Sequence, residues 1–276
     1  MVTGARAEAP FVLPGAREFA YAARDGAAYS LLVHIPETPP PAAGFPVITL
    51  VDGRALFAAA VMAMRLQSGR PGVTGVAPAV IVGVGYPGEA LFDVGRRSGD
   101  LLPADGGADR FLATLLDEIL PWVGRLAPLD ATRRALAGHS YGGLFVLHAL
   151  FARPEAFAAF IAGSPSIWRA ADLLHAAETR FTAHHGDAQP RLLVTVGGDE
   201  QKRQAGDSPE RAARRLMARM HDNAAGLAQR LSASGAAACT FTVFADENHI
   251  SVIPAMLSRA VAFALRHTGT PGECSP

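Results

Sequence analysis

The sequence predicts a doubly wound α/β fold, in which a mostly parallel sheet has helices on both faces. Two observations predict it: short apolar runs alternate with helical segments, and the runs are nearly continuous in hydrophobicity. Strands that helices bury on both faces need that continuous pattern, whereas a half-exposed strand alternates between apolar and polar residues. With 276 residues, half of them hydrophobic, the chain is long enough for one such domain.

We expect residues 1–18 to form a loose arm, residues 19–268 one α/β domain, and residues 269–276 a tail. Seven runs are predicted strands, and they are 29–35, 47–51, 80–84, 135–137, 158–162, 192–196 and 239–244. Five segments have helical apolar spacing, and they are 56–66, 109–126, 142–151, 209–232 and 252–266. The charged segment 201–230 favours a solvated helix face, and a lid over the site is the alternative.

The composition argues against several classes of function. Lys plus Arg equals Asp plus Glu, at 25 residues each, so no basic excess indicates a nucleic-acid or membrane partner. No apolar run reaches the about 20 residues that span a bilayer, and no secretory signal is visible, so a cytoplasmic location is expected. Cys239 and Cys274 differ in setting and fit neither a disulfide framework nor a zinc site, so both are expected to be free thiols.

The motif that indicates chemistry most clearly is Gly138-His139-Ser140-Tyr141-Gly142, which fits the Gly-x-Ser-x-Gly pattern of a nucleophile elbow. It lies between a predicted strand and a predicted helix. A serine raised there on a sharp turn needs glycine two residues before and two after it, because the chain passes close to itself. Ser140 is the predicted nucleophile, and the alternative is a glycine-rich turn in which it only caps the helix.

His249 is the predicted general base, because a serine hydroxyl is a weak nucleophile without one. It lies between the last predicted strand and the last predicted helix, a loop from which an imidazole reaches the elbow. The orienting acid is expected in the loop after the strand at 192–196, where Asp199 and Glu200 are adjacent. The spacing from the preceding glycines favours Glu200, and Asp199 is the alternative.

Two backbone N–H groups are expected to stabilise the oxyanion of the reaction. One belongs to Tyr141, and the other to Gly53 or Arg54 in the turn after the strand at 47–51. The Arg54 side chain is then expected at the mouth of the site, where its guanidinium would bind an anionic or oxygen-rich substrate. The alternative for Arg54 is a surface ion pair, with Asp52 as the suggested partner.

The chain resembles the putative-esterase branch of the α/β hydrolases, which includes the enterobactin-type siderophore esterases. The similarity extends over residues 19–265 and rests on segments that are specific in combination. They are 51–57, 83–87, 96–103, 111–112 with 117–122, 133–144, 163–168 and 247–249. The resemblance implies an α/β-hydrolase fold and a serine hydrolase of carboxylic esters that uses Ser140 and His249. It also implies that the backbone near Arg54 is the oxyanion element, and it leaves Asp199 and Glu200 open.

The expected partner is a small-molecule ester, and the expected mechanism needs no metal or organic cofactor. Tyr86 and Trp168 are candidate substrate contacts, with packing as the alternative for each. A siderophore-type ester is one candidate substrate. Two competing functions are acyl transfer to an alcohol on the same residues, and binding without catalysis by a protein that has kept the fold.

Overall fold

The structure, a computed structural model, describes residues 12–184, 189–204 and 206–266. Within these residues eight strands form one sheet in the order β1-β2-β4-β3-β5-β6-β7-β8. They are β1 (Ala16–Ala22), β2 (Ala28–His34), β3 (Phe45–Val51), β4 (Val80–Gly85), β5 (Leu129–His139), β6 (Ala159–Gly163), β7 (Arg191–Gly197) and β8 (Ala238–Phe244). β2 is antiparallel to both β1 and β4, and the strands from β4 across to β8 are parallel.

Helices cover both faces of this sheet, so the predicted doubly wound α/β class is confirmed. They are α1 (Gly53–Ser68), α2 (Pro71–Thr74), α3 (Val94–Leu101), α4 (Gly107–Thr114), α5 (Leu120–Val123), α6 (Tyr141–Ala152), α7 (Ala171–His184), α8 (Pro209–Ala218), α9 (Met220–Ser234) and α10 (Val252–Leu265). Leu56 of α1 and Met256 of α10 belong to the core on one face. Phe111 of α4, Phe145 of α6 and Leu227 of α9 belong to the core on the other. In the part of the chain that is described, no helix is long and apolar enough to cross a membrane.

Two predicted helices are interrupted. The segment 109–126 contains a π-helical turn, Leu115–Ile119, between α4 and α5. Pro121 has no N–H to donate to the carbonyl of Asp117, and the Arg24 guanidinium donates to that carbonyl instead, at 3.0 Å. The segment 209–232 is divided into α8 and α9, because Arg219 between them has a left-handed φ of 45°.

Four elements were not predicted, and they are β1, α2, α3 and α7. β1 pairs only with β2 at the sheet edge, and its residues alternate between half-buried and exposed positions. The continuous apolar pattern of a central strand is therefore missing. The prediction of a loose arm over residues 1–18 is wrong for residues 16–18, because they belong to β1. Residues 1–11, the tail 269–276 and Cys274 lie outside the described residues.

The sheet brings two loops together where its strand order reverses. β3 continues through α1 to β4 on one side, and β5 continues through α6 to β6 on the other. β3 and β5 are neighbours, so the turns at their carboxyl ends face one crevice. Crevices of this kind bind ligands in open α/β sheets. The turn after β3 contains Asp52 and Gly53, and the turn after β5 contains Ser140.

We expect Gly138→Ala to lower the free energy of unfolding by about 1–3 kcal/mol, as overpacking of a filled core does. A Cβ at Gly138 would lie 2.5 Å from the carbonyl group of Gly142 and 2.7 Å from Val51 Cγ2. Gly72→Ala is the matched control, because a Cβ there meets no atom within 4 Å. The control is expected to be neutral or to stabilise by up to about 1 kcal/mol. Urea denaturation of both variants measures the difference, and equal midpoints would contradict the expectation.

Candidate active site

Ser140 is the single residue between the end of β5 and the start of α6. Its φ of 62° and ψ of −114° lie where residues other than glycine are rarely found. Such a conformation costs of the order of 1–3 kcal/mol and persists only where the surroundings fix it. Hydrogen bonds fix it here: Ser140 N donates to Gly163 O at 2.9 Å, and Ser166 N donates to Ser140 O at 3.1 Å. The residue is therefore presented on a strained turn, as a nucleophile elbow requires.

The side chains of His249 and Glu200 are hydrogen-bonded to each other beside this turn. Nδ1 of His249 lies 2.6 Å from Oε2 of Glu200, whose residue is 2% exposed. The other carboxylate oxygen, Oε1, accepts hydrogen bonds from Gly197 N at 2.7 Å and from Ser164 Oγ at 2.5 Å. Both oxygens of this buried group thus have partners, which burial of a charge demands. One imidazole nitrogen is occupied by the carboxylate, so Nε2 is left to act on a substrate or a nucleophile.

Asp199, the alternative acid, lies elsewhere. Its Oδ1 accepts from Lys202 Nζ at 2.8 Å, an ion pair at the surface. The backbone N–H of Asp199 donates to Glu247 O at 3.0 Å and so ties the loop after β7 to the loop after β8. The structure places Glu200, and not Asp199, against the imidazole of His249.

The loop that carries His249 is held by its neighbour Asn248. The Asn248 Oδ1 accepts from Ile250 N at 2.9 Å and from Ser251 N at 3.1 Å. In return, Asn248 N donates to Ser251 Oγ at 3.0 Å. This compact turn precedes α10, so the imidazole projects from a fixed backbone.

A cavity of about 610 Å³ joins these groups. Its lining residues are Ser140, Tyr141, Ser166, Trp168, Glu200, Arg211, Arg214, Arg215, Met217, Ala218, Met220 and His249. The Ser140 hydroxyl lies 3.2 Å from Ser166 Oγ, and either oxygen can donate. Ser140 and His249 both line the cavity. Among the described residues, no hydrogen bond joins their two side chains. The sequence analysis did not predict Ser166 as a site residue, although it lies in the segment 163–168, which contributes to the family resemblance.

A buried ion pair forms the opposite side of the elbow. Oδ1 and Oδ2 of Asp52 accept from Nε and Nη2 of Arg97 at 3.0 and 2.6 Å. The guanidinium also lies over the ring of Tyr141, 4.8 Å from its centroid. Burial raises the pKa of Asp52, and the contact with Arg97 opposes that rise. The pair connects the turn before Gly53 with the residue after Ser140, and neither member was predicted as a site residue.

The predicted oxyanion donors lie in these two turns. Asp52 has a left-handed φ of 56°, and α1 begins at the next residue, Gly53. The N–H groups of Gly53 and Arg54 belong to the first turn of α1, where backbone donors have no partner within the helix. Tyr141 is the first residue of α6, so its N–H is equally free of an intrahelical partner.

The Arg54 side chain does not line the cavity. Its Nη2 pairs with Oε1 of Glu18 in β1, and its Nη1 lies 4.0 Å from Glu89. The expectation of a guanidinium at the mouth of the site is therefore wrong, and so is the suggested partner Asp52, which binds Arg97. Glu18 lies in β1, but the sequence analysis placed residue 18 in a loose arm. Glu18 was therefore not considered as a partner of Arg54.

The two candidate substrate contacts, Trp168 and Tyr86, differ in their position relative to the cavity. Trp168 lines the cavity and is 46% exposed. Tyr86 is buried outside it, with its ring 4.9 Å from the Arg96 guanidinium, so packing is its role. Burial also raises the pKa of Tyr86 far above its ordinary value.

His139 packs against the candidate base. The two imidazole centroids lie 4.6 Å apart, and His139 is 1% exposed. Burial holds the pKa of His139 well below its usual range, so its ring is neutral near pH 7. A neutral neighbour adds no fixed charge beside His249 and limits the space in which the ring of His249 can rotate.

Residues 24–233 match the profile of the family described as Putative esterase. The ferri-bacillibactin esterase BesA of Bacillus subtilis is 36% identical to this chain, with 94% of this chain and 92% of that protein covered. The siderophore triacetylfusarinine C esterase of Aspergillus fumigatus is 38% identical over 78% of this chain and 80% of that protein. Among solved structures, the siderophore hydrolase EstB from Aspergillus nidulans has a TM-score of 0.84 at 30% identity, covering 98% of this chain and 100% of that one.

The family profile covers most of the chain, and both of these relatives, each more than a third identical to it, are esterases. The chain therefore belongs to the Putative esterase family of carboxylic ester hydrolases, with the α/β-hydrolase fold.

Proposed function

We propose that the protein is a serine esterase that hydrolyses siderophore-type esters through an acyl-enzyme on Ser140. The observation that carries the proposal is the 2.6 Å contact between Glu200 and His249 in the cavity that Ser140 also lines. The substrate class is supported by the relatives, whose names assign them ferri-bacillibactin and triacetylfusarinine C.

In the first half of the reaction, Oγ of Ser140 attacks the ester carbonyl and His249 Nε2 takes its proton. Glu200 keeps Nδ1 protonated and stabilises the imidazolium that forms. The Ser140 hydroxyl first exchanges its contact with Ser166 for one with the imidazole. His249 then donates the proton to the departing alkoxide, and the alcohol leaves.

The negative charge of the tetrahedral intermediate falls on the former carbonyl oxygen. In this mechanism the N–H of Tyr141 and an N–H of the Gly53–Arg54 turn receive it, and the N-termini of their two helices add favourable dipoles. The Asp52–Arg97 pair keeps these two turns together. In the second half, water deprotonated by His249 attacks the acyl-enzyme and releases the acid and free Ser140.

Ser140→Ala is expected to lower kcat on p-nitrophenyl butyrate by about 10³-fold or more while KM changes little, because only the attacking oxygen is lost. Labelling by a fluorophosphonate probe should disappear as well. Ser98→Ala is the control, since the hydroxyl of Ser98 bonds the carbonyl of Val94 within α3. Turnover or labelling that survives in Ser140→Ala would rule out the acyl-enzyme on this residue, and an unlabelled wild type would favour binding without catalysis.

Glu200→Gln and Asp199→Asn form a matched pair of neutral substitutions on adjacent residues. Glu200→Gln is expected to lower kcat by about 10³–10⁴-fold, because an amide stabilises neither the correct imidazole tautomer nor its charged form. Asp199→Asn removes only a surface ion pair with Lys202, so its kcat should stay within about twofold of the wild type. Steady-state kinetics on the same ester decide, and the reverse order of effects would assign the acid to Asp199.

The substrate class is tested with a tricatecholate triester, followed by chromatography of the products. We expect Ser140-dependent cleavage with kcat/KM above that for p-nitrophenyl butyrate, because the larger substrate contacts more of the cavity. Turnover of the simple ester alone would restrict the protein to general esterase activity. Products formed with an added alcohol would indicate acyl transfer.

A further inference from the structure

α8 forms much of the cavity wall beyond the catalytic residues. Five of its residues line the cavity, and they are Arg211, Arg214, Arg215, Met217 and Ala218. Arg214, Arg215 and Ala218 follow Arg211 by three, four and seven residues, so these four share one face of the helix, with Met217 at its edge. A helix face that covers the body of a protein is normally apolar. This one carries three guanidinium groups, so its composition is unsuited to core packing.

The arginines differ in their partners. Arg215 is bound by Asp207, whose two oxygens accept from Nη2 and Nε at 3.1 and 3.2 Å. Arg211 and Arg214 have no carboxylate within ion-pair distance among the described residues. Glu210 lies one turn before Arg214 and is exposed, and the charges of the two side chains interact only beyond ion-pair distance.

The cavity offers these two cations no internal counter-charge. Glu200 is its only lining carboxylate within the described residues, and it is engaged with His249. Ser166 and Trp168, which line the cavity outside α8, carry no charge. An unbalanced positive charge in a partly enclosed cavity attracts anions more strongly than one on an open surface.

A structural role for the two side chains is poorly supported. Ala212 is the only buried residue of α8, so the helix contributes little to the core. Arg211 and Arg214 are themselves exposed at the cavity rim. A purely solvated helix face would direct its charges away from the cavity, whereas these lie along its lining.

We propose that Arg211 and Arg214 form an anion subsite that selects esters carrying ionised oxygen groups away from the reacting carbonyl. The proposal rests on the proposed esterase function of the same cavity. The two guanidinium groups hydrogen-bond a carboxylate or phenolate of the substrate, and Trp168 and Met217 contact its apolar part. The selected substrates are anionic, partly apolar esters.

The test compares mono-p-nitrophenyl adipate with p-nitrophenyl hexanoate, two esters of equal acyl length that differ by one terminal carboxylate. The quantity measured is the ratio of their kcat/KM values. In Arg211→Gln/Arg214→Gln this adipate-to-hexanoate ratio is expected to fall by about ten- to a hundredfold, mainly through KM for the adipate ester. In Arg211→Lys/Arg214→Lys, which keeps both charges but loses the planar donors, it is expected to fall by less than in the glutamine variant.

The matched control is Arg180→Gln/Arg259→Gln, which removes the same charge from α7 and α10, outside the cavity lining. Its ratio should equal that of the wild type. Raising the ionic strength from about 0.01 to about 1 M shortens the Debye length from about 30 to about 3 Å. The wild-type ratio should then approach that of the glutamine variant.

An unchanged ratio in the glutamine double variant would overturn the subsite, and so would an equal fall in the control. In either case Ser140-dependent turnover of both esters would leave the esterase function intact. Turnover of both esters by Ser140→Ala would instead reject the proposed function and this proposal with it.

Discussion

A buried carboxylate must have a hydrogen-bond donor on each of its oxygens, and at Glu200 that requirement shapes the site. Its donors are the hydroxyl of Ser164 after β6, the N–H of Gly197 at the end of β7, and the imidazole of His249 after β8. Three consecutive strand ends therefore converge on one side chain. Removing any of these partners leaves part of a buried charge unsatisfied, which is costly. The position of the imidazole is thus coupled to the register of half of the sheet.

A second buried carboxylate acts on the other side of the nucleophile. Asp52 and Arg97 link the turn after β3 to α3, and the guanidinium continues the link to the ring of Tyr141. The two halves of the site are built in the same way, with a loop carboxylate held by donors from a different element. The strained backbone of Ser140 lies between them, and packing from both sides offsets its conformational cost.

Much of the fold could be predicted because it depends on strands buried on both faces, whose apolar runs are visible in one sequence. The prediction failed where burial is partial. β1 alternates at the sheet edge, and the first half of β5 contains the polar residues Asp130, Thr132, Arg133 and Arg134, so only its apolar end was found. The break at Arg219 depends on one left-handed residue that carries no composition signal.

The candidate site could also be predicted only in part. Ser140 was predicted because close chain approach leaves a glycine signature, and His249 because strand order limits which loops reach the elbow. Glu200 and Asp199 are neighbours of the same charge, so only the direction of each side chain distinguishes them. The partner of Arg54 was wrongly predicted for a related reason: the pairs Arg54–Glu18 and Arg97–Asp52 are set by tertiary contacts between distant segments.

The light burial of α8 has an evolutionary consequence. A helix that contributes a single side chain to the core can change its outward sequence at little cost in folding stability. The residues on the ends of β5, β7 and β8 lack that freedom, since each is bonded to several others. Descendants of this chain can therefore diversify in the molecules they accept while the reacting groups stay as they are, and divergence should be concentrated between residues 209 and 218.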